Sequence, residues 1–272
     1  MAPARASVSA MAGTGLAGGF FSGLTGVGGG AVMVPLMTGV LRMRQHAAHG
    51  TSLVIIVFAA AAGGLTSVLR EGAAWTLVAT LLPASLVGAY AGARLVQHLP
   101  AMRLRQVFGA FVLVVGARLL LFAHVSPLFD AHGAEEALIG SLIGLTGGLI
   151  SGALGVGGGA IFVPGMVLVL GTDQHQAQGA SLLVIVGAAA MGAWTHSRHG
   201  SIDAGAVRVI AFAAVPAGIA GAYVASLLDG DVLQRLFAVV LVAVGVQMLA
   251  SATLNLRRER SAPGAVPGIE PV

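Results

Sequence analysis

The residues of this chain that could bind a solute lie in a glycine-rich block that occurs twice. The first copy runs from Gly15 to Pro35 and the second from Gly144 to Pro164, and 14 of their 21 positions are identical. Each copy contains Gly-Val-Gly-Gly-Gly inside an otherwise apolar segment. Because glycine destabilises a helix by about 1 kcal/mol per residue relative to alanine, this cluster predicts a break in each segment.

Each break is followed by a new helix whose first turn could bind an anion. The N–H groups at a helix start have no partner in the helix, and they carry a partial positive charge. In hydrocarbon such groups are costly, so a break must line a cavity or be covered by protein. Close helix packing is the alternative role for the glycines. The predicted backbone ligands of a small anionic solute are Gly28, Gly29, Gly30, Gly157, Gly158 and Gly159.

Polar side chains at equivalent places in the two halves could complete this site. Ser22 and Ser151 could each donate a hydrogen bond to an oxyanion, or bond to a carbonyl of their own helix. A second polar group lies at the start of the next helix of each half, where it could line the same cavity. This group consists of Thr51, Ser52, Gln178 and Ser181.

Three histidines near the same helix start are candidates for proton coupling. His46 and His175 occupy equivalent positions, and His49 follows His46 by three residues. Histidine titrates near physiological pH; the alternative is an interfacial histidine at a helix end. No carboxylate lies near His46 or His49 in the sequence, so no metal site is predicted, and no motif calls for a cofactor.

Two further features concern charge inside apolar segments. Arg118 lies within one, where it could extend to the water interface or face the cavity and attract an anion. No carboxylate lies deep in any apolar segment, which disfavours a buried carboxylate site for a cation.

The composition indicates that the bilayer is the solvent of this chain. Of its 272 residues, 57% are hydrophobic and 9% are charged, whereas soluble domains carry about 25% charged residues. The net charge of +4 comes from scattered arginines without a basic stripe, so no nucleic-acid partner is predicted. The chain has no cysteine, which excludes disulfides and thiol catalysis.

No enzyme motif is present at usable spacing. Residues Gly26 to Ala31 resemble a dinucleotide fingerprint, but they lack a strand–turn–helix context and a following acidic residue. No Gly-Lys-Ser/Thr follows, which rules out a phosphate-binding P-loop. We therefore expect a protein that is not an enzyme.

The predicted fold is an all-α integral membrane protein built from two homologous repeats, with about eight transmembrane helices (eight to ten counting half-helices). Because about 20 apolar residues span a bilayer, long apolar segments mark the helices. The repeats are expected at 1–129 and 130–256, before a flexible polar tail at 257–272. The segments are 8–40, 48–69, 74–97 and 105–124 in the first repeat, and 136–171, 177–196, 205–228 and 232–254 in the second.

The positions of the charges predict that the two repeats are inverted. In the first repeat arginines follow the first and third segments, whereas the equivalent breaks of the second repeat are mainly acidic. Because basic loops prefer the cytoplasm, inversion is the simplest explanation. It requires an odd number of crossings per repeat. A re-entrant first segment plus three spanning helices would supply it, and so would two full crossings in place of the re-entrant segment.

The doubled glycine motif resembles that of the sulfite exporter TauE/SafE family, also called the TSUP permeases. The motif Gly-x-x-x-Gly-x-x-Gly-x-Gly-Gly-Gly-x-x-x-Val-Pro runs from Gly19 to Pro35 and again from Gly148 to Pro164. The resemblance extends over residues 12–254.

Short motifs after each block are also similar to that family. They are His46-x-x-x-Gly50-Thr-Ser and His175-x-x-x-Gly179-Ala-Ser. The second half has Gln178 where the first has His49, and Ala180 where the first has Thr51, so a site that uses these positions would be asymmetric.

The resemblance implies a multi-pass inner-membrane permease for sulfite, a sulfonate or another organosulfur anion. Together with the predicted breaks, it suggests a secondary transporter that works by alternating access, with the proton gradient as its drive. The expected partners are the lipid bilayer and a small anionic solute, with a homo-oligomer as an option. An anion channel and a membrane assembly factor without transport activity are the alternatives.

Overall fold

The computed structural model describes residues 7–95, 101–121, 133–198, 200 and 202–261. Within this part of the chain the fold is all-helical, as the sequence predicts. The elements are α1 (Val8–Thr25), α2 (Gly30–Gly39), α3 (Gln45–Glu71), α4 (Trp75–Leu95), α5 (Ala101–Leu121), α6 (Ala134–Leu154), α7 (Gly159–Pro164) with a π-helical turn (Gly165–Val169), α8 (Gln174–Ser197), α9 (Ala204–Ala225) and α10 (Gly230–Ser261).

The described helices include six that are long and apolar enough to cross a bilayer, fewer than the eight segments predicted. Glycine lowers the hydropathy of α1, and the described apolar run of α5 covers only Gln106–Leu121. The breaks leave two further short apolar helices, Gly30–Gly39 and Gly159–Val169. The six are α3, α4, α6, α8, α9 and the residues Gly230–Ala250 of α10.

Two helices begin at aspartates that satisfy their first free N–H groups. Asp173 Oδ1 accepts hydrogen bonds from the amides of His175 (2.9 Å) and Gln176 (3.3 Å) at the start of α8. Asp203 Oδ1 does the same at the start of α9. Aspartate is a favoured N-cap residue because its side chain replaces the missing helical acceptor.

Two helices of the first half pack antiparallel to the equivalent helices of the second half. In the pair α3 and α8, Leu53 near the start of α3 packs on Gly192 near the end of α8, and Gly64 packs on Leu182. The helices α5 and α10 are also antiparallel, because Gly109 lies beside Met248 whereas Gly116 lies beside Leu241.

The helices before the breaks pack parallel to a helix of the other half. Along α1, Gly15 lies against Ile210 and Gly23 against Gly218 of α9. The equivalent helix α6 packs on α4 in the same way, as Gly144 lies against Leu81 and Gly152 against Ala89. At each of these glycines a Cβ atom would meet a backbone carbonyl oxygen of the partner helix. Small residues at this spacing allow two helix backbones to approach closely.

The first broken segment is a hairpin, because α2 runs back along α1. Gly29 lies against Gly18 and Ser22, and Met33 further along α2 covers Gly18. The end of α2 reaches an apolar cluster that includes Leu41 and Ala206 at the start of α9. This hairpin therefore returns to the end of the bundle at which α1 begins.

The second broken segment repeats this hairpin. Gly158 lies against the Gly147 carbonyl, Phe162 covers Gly147, and Gly165 packs on Ile143 nearer the start of α6. We call the end where α1, α3 and α9 begin the first end of the bundle, and the end where α4, α6 and α8 begin the second end.

The close contact between α1 and α9 predicts that Gly19 tolerates no larger residue. Gly19→Ile is expected to lower the free energy of unfolding by about 1–3 kcal/mol because its side chain would overlap the Ala214 carbonyl. Gly13→Ile on the same helix is the control, since no atom lies within 4 Å of a Cβ there. The measurement is the midpoint of thermal unfolding in detergent. Equal midpoints for the two variants would contradict the packing described here.

Candidate functional site

The predicted helix breaks are present in both halves, and their conformation requires glycine. The helix α1 ends at Thr25, and α2 begins at Gly30. Within the breaks Gly28 has φ of 94° and the equivalent Gly157 has φ of 102°. Residues with a Cβ rarely adopt this left-handed region. The glycines thus serve the chain reversal as well as the close packing.

The two breaks meet halfway along the bundle. A Cβ on Gly28 would lie 3.3 Å from the Cα of Gly157. Gly30 packs on the carbonyl of Gly155, and Gly159 packs on the carbonyl of Gly26. Ile185, at the middle of the 24-residue helix α8, lies beside Gly28 and Gly157. The contact between the breaks is therefore backbone on backbone, and it lies at mid-height.

The amides at the start of α2 are available for a ligand. The first helical hydrogen bonds run from the amides of Val32 (3.1 Å) and Met33 (2.9 Å) to the Gly29 carbonyl. Among the described residues, no hydrogen-bond acceptor faces the amides of Gly30 and Ala31.

The start of α7 has the same arrangement. The amides of Ile161 (2.9 Å) and Phe162 (3.1 Å) donate to the Gly158 carbonyl. No acceptor in the described part of the chain faces the amides of Gly159 and Ala160. The two halves therefore bring equivalent sets of N–H groups to mid-height.

Ser22 lies beside Gly29 just before α2, Ser151 lies one turn before the second break, and both hydroxyl groups are unsatisfied. Both side chains are fully buried, and neither Oγ has a hydrogen-bond partner in the structure as described. The bond to a carbonyl of the same helix, which the sequence left open, does not form. Thr25 on α1 does make such a bond, to the Phe21 carbonyl at 2.7 Å.

Ser52 and Ser181 each bond to the break of the other half. The Ser52 hydroxyl donates to the Gly155 carbonyl (3.1 Å) as well as to the His49 carbonyl within α3 (2.9 Å). The Ser181 hydroxyl donates to the Gly26 carbonyl (2.7 Å). Since these carbonyls end α6 and α1, the two serines hold the helix ends in place across the two halves. Their predicted contact with a solute stays a prediction.

Thr51 and Gln178, the other polar residues predicted to line the cavity, differ in their surroundings. The Thr51 hydroxyl accepts a hydrogen bond from the amide of Asp203 (3.0 Å), which joins α3 to the start of α9. Gln178 is 2% exposed and packs against Gly26, and its Nε2 has no partner among the described residues.

The structure separates the three candidate histidines. His46 is exposed at the start of α3, and His175 is half-buried at the start of α8. His49 is 7% exposed, and its ring lies beside Gly155 in the second break. Only His49 of the three lines the cavity next to the breaks.

This cavity has a volume of about 100 Å³ and lies between α2, α3, α10 and the second break. It extends from Gly30 at mid-height toward Thr38 and Gln247, which lie nearer the first end. Pro35 also lines it, and because proline has no N–H the helical bond to the Ala31 carbonyl cannot form. The remaining lining residues are Ala31, Val34, His49, Leu154, Val156, Val244 and Met248.

Sequence reasoning missed two buried polar residues. The side chain of Gln174, at the start of α8, is 4% exposed, and neither of its polar atoms has a partner in the described structure. Its match to Gln45 in the repeat was an available signal. His196 lies 3.3 Å from the Gly152 carbonyl through Nε2, and no signal marked it, since the equivalent residue is Ser67.

Arg118, which the sequence left between two roles, is half-buried in α5. Within the described residues no three side chains of His, Cys, Asp or Glu lie close enough together to bind a metal ion.

The crossed serine bonds predict a loss of stability on removal of either hydroxyl. Ser181→Ala and Ser52→Ala are each expected to lower the free energy of unfolding by about 1–3 kcal/mol, because a buried helix-end carbonyl loses a donor. Ser85→Ala is the control, since this buried hydroxyl donates within its own helix to the Leu82 carbonyl. Thermal unfolding in detergent measures the effect. A smaller loss in both variants than in Ser85→Ala would contradict this role.

Comparison with known proteins identifies the family. The family described as "Sulfite exporter TauE/SafE" matches residues 2–119 and 140–269. A "Probable membrane transporter protein" of Xylella fastidiosa (strain 9a5c) is 25% identical over 240 residues, which cover 85% of this chain and 90% of that protein. The "Probable membrane transporter protein YunE" of Bacillus subtilis (strain 168) is 25% identical over 272 residues, or 86% of this chain and 94% of the relative.

No solved structure matches the chain. The family match covers most of the sequence and includes both glycine blocks. Together with the long apolar helices, this match shows that the chain belongs to the sulfite exporter TauE/SafE family of multi-pass membrane transporters.

Proposed function

We propose that this protein is a secondary transporter that moves sulfite, a sulfonate or another small organosulfur anion by alternating access. One observation carries the proposal. Among the described residues the buried hydroxyls of Ser22 and Ser151 have no hydrogen-bond partner, and both serines lie one helical turn before the breaks that meet at mid-height.

An anion would satisfy these hydroxyls and the free amides at the starts of α2 and α7. A buried donor without a partner costs about 1–3 kcal/mol, and a hydrogen bond to a charged group contributes about 1.5–3 kcal/mol. An oxyanion accepts several such bonds at once and is favoured by the positive end of a helix. No other described side chain competes for these hydroxyls.

We further propose that the two repeats are inverted in the inner membrane, with the first end in the cytoplasm. The antiparallel packing of α3 on α8 and of α5 on α10 supports inversion, because equivalent helices then cross in opposite directions. In this arrangement each repeat has a re-entrant hairpin (α1–α2 or α6–α7) and three crossing helices (α3–α5 or α8–α10), which makes the number of crossings odd. The helix α6 then belongs to a hairpin, although its length and hydropathy would allow it to cross.

The distribution of charge supports this orientation, because basic loops prefer the cytoplasm. The described charged residues at the first end are mostly basic, and those at the second end are mostly acidic. At the first end they are Arg42, Arg44, Arg94, Arg198, Asp203 and Arg208; at the second they are Arg70, Glu71, Arg118, Glu135, Glu136, Asp173, Asp229, Asp231 and Arg235.

In this orientation the cavity beside His49 leads from the meeting point of the breaks toward the cytoplasm. Alternating access then requires a second state, in which this cavity closes and an equivalent one opens beside α7 toward the second end. The internal repeat supports a second state of this kind, because each element that lines the cavity has an equivalent element in the other half. A proton gradient is the proposed drive.

The serine hydroxyls predict a loss of affinity without a loss of stability. Ser22→Ala and Ser151→Ala are each expected to raise the apparent KM for the anion about tenfold, since 1.4 kcal/mol corresponds to a factor of ten. The measurement is counterflow into proteoliposomes of labelled sulfite, thiosulfate, sulfoacetate, taurine and acetate. Ser141→Ala is the control, because this α6 hydroxyl bonds to the Ala137 carbonyl. Unchanged KM values in both variants would exclude the serines from the site.

Counterflow, together with planar-bilayer recording and co-purification, distinguishes the transporter from an anion channel and from an assembly factor. An anion channel would give single-channel currents in a planar bilayer and no counterflow. A membrane assembly factor would give no flux for any of the five compounds and would co-purify with a stable partner.

The buried histidine predicts how pH acts on transport. His49→Gln, which copies Gln178 of the other half, is expected to remove the pH dependence of thiosulfate counterflow between pH 5 and 8 while leaving transport measurable, because thiosulfate itself does not titrate in this range. None of the other lining residues of the cavity titrates. His46→Gln, on the exposed start of α3, is the control. A pH profile of His49→Gln that matches the unsubstituted protein would exclude His49 from proton coupling.

A further inference from the structure

Two buried carboxamides lie next to each other on α8. Gln174 and Gln178 are one helical turn apart, so their side chains share a face of the helix. They are 4% and 2% exposed. Both atoms of the Gln174 amide and the Nε2 of Gln178 have no hydrogen-bond partner among the described residues.

Unsatisfied buried amides are rare in native proteins and need a specific cause. Gln178 packs against Gly26 at the end of α1. The Gly26 carbonyl accepts a hydrogen bond from Ser181 and none from Gln178. The two amides therefore keep free N–H donors in a closed region.

The repeat relates this region to the cavity at the first end. Gln178 occupies the position of His49, and Gln174 occupies that of Gln45. As the His49 ring lies beside Gly155, so Gln178 lies beside Gly26. The glutamines thus mark the counterpart of the open cavity, closed in this conformation and directed toward the second end.

Building on the proposed transport function, we propose that Gln174 and Gln178 bind the transported oxyanion at the second end. The two Nε2 groups donate hydrogen bonds to it when that side opens. Asp173 directly precedes Gln174, but its carboxylate is exposed and already accepts from the amides of His175 and Gln176. Neutral donors suit a site that must also release its ion, because binding has to be weak enough for the ion to leave.

The proposal also assigns different chemistry to the two sides. The site at the first end contains a titratable group, His49, whereas the site at the second end contains two carboxamides. At the equivalent positions of the two sites, His49 can bind a proton and Gln178 cannot.

The test measures the apparent KM from each side of the membrane. Right-side-out and inside-out vesicles are loaded for counterflow of whichever of sulfite, thiosulfate, sulfoacetate and taurine gives the highest rate. Gln174→Leu and Gln178→Leu are each expected to raise the KM about tenfold when the anion is added at the second end, and less than twofold at the first. Gln45→Leu, the equivalent change in the other half, is the control and should leave both KM values unchanged.

Thermal unfolding separates a binding role from a structural one. Since neither Nε2 group has a hydrogen-bond partner among the described residues, replacing either glutamine with leucine is expected to leave the unfolding midpoint unchanged or raise it. Gln178→Glu keeps the length of the side chain and adds a negative charge, so it should raise the KM at the second end even if a leucine variant fails to fold.

Three results would overturn the proposal. The first is a KM at the second end that matches Gln45→Leu in all three variants. The second is an equal rise on both sides together with a lower unfolding midpoint. The third is an absence of counterflow in the unsubstituted protein, which alone would also remove the proposed transport function.

Discussion

The fold depends on one backbone contact, the crossing of the two helix breaks at mid-height. Gly28 and Gly157 meet there so closely that a Cβ on Gly28 would lie 3.3 Å from the Cα of Gly157. Because the backbone itself forms the contact, each half fixes the position of the other half's free amides. Every polar feature near the site follows from this arrangement: the unsatisfied serines beside the breaks, the crossed hydrogen bonds at the helix ends, and the cavity that begins at Gly30. The glycines of α1 and α6 serve the same end, since they let neighbouring helices approach closely enough to enclose the crossing.

Symmetry of the backbone combines here with asymmetry of the side chains. The hairpins, the parallel packing of α1 on α9 and of α6 on α4, and the bonds of Ser52 and Ser181 repeat from one half to the other. The residues that would meet a solute do not, since His49 in one half stands where Gln178 stands in the other. A transporter built in this way can keep two similar conformations close in energy and still distinguish the two sides of the membrane by their chemistry.

The sequence predicted which positions of the two halves are equivalent, but it did not predict which residues are in contact. The break at each glycine cluster followed from local helix energetics, and the all-helical fold followed from composition. Which half supplies the partner of a given residue could not be predicted, because an internal repeat gives equivalence and not contact. Hence Ser52 and Ser181 were expected to face a solute, while their bonds to the Gly155 and Gly26 carbonyls were not foreseen. Gln174 was missed because its match to Gln45 carries no chemical signal until burial is known.

The hydrogen bond from Ser181 to the Gly26 carbonyl joins residues 155 positions apart. The ribosome makes α1 long before it makes α8. The Gly26 carbonyl at the end of α1 therefore has no Ser181 hydroxyl to bond to at that stage. The nascent first half must shelter that carbonyl and the adjacent free amides by other means, such as the translocation machinery, lipid headgroups or water. The order of synthesis therefore means that this hydrogen bond can form only after α8 has been made.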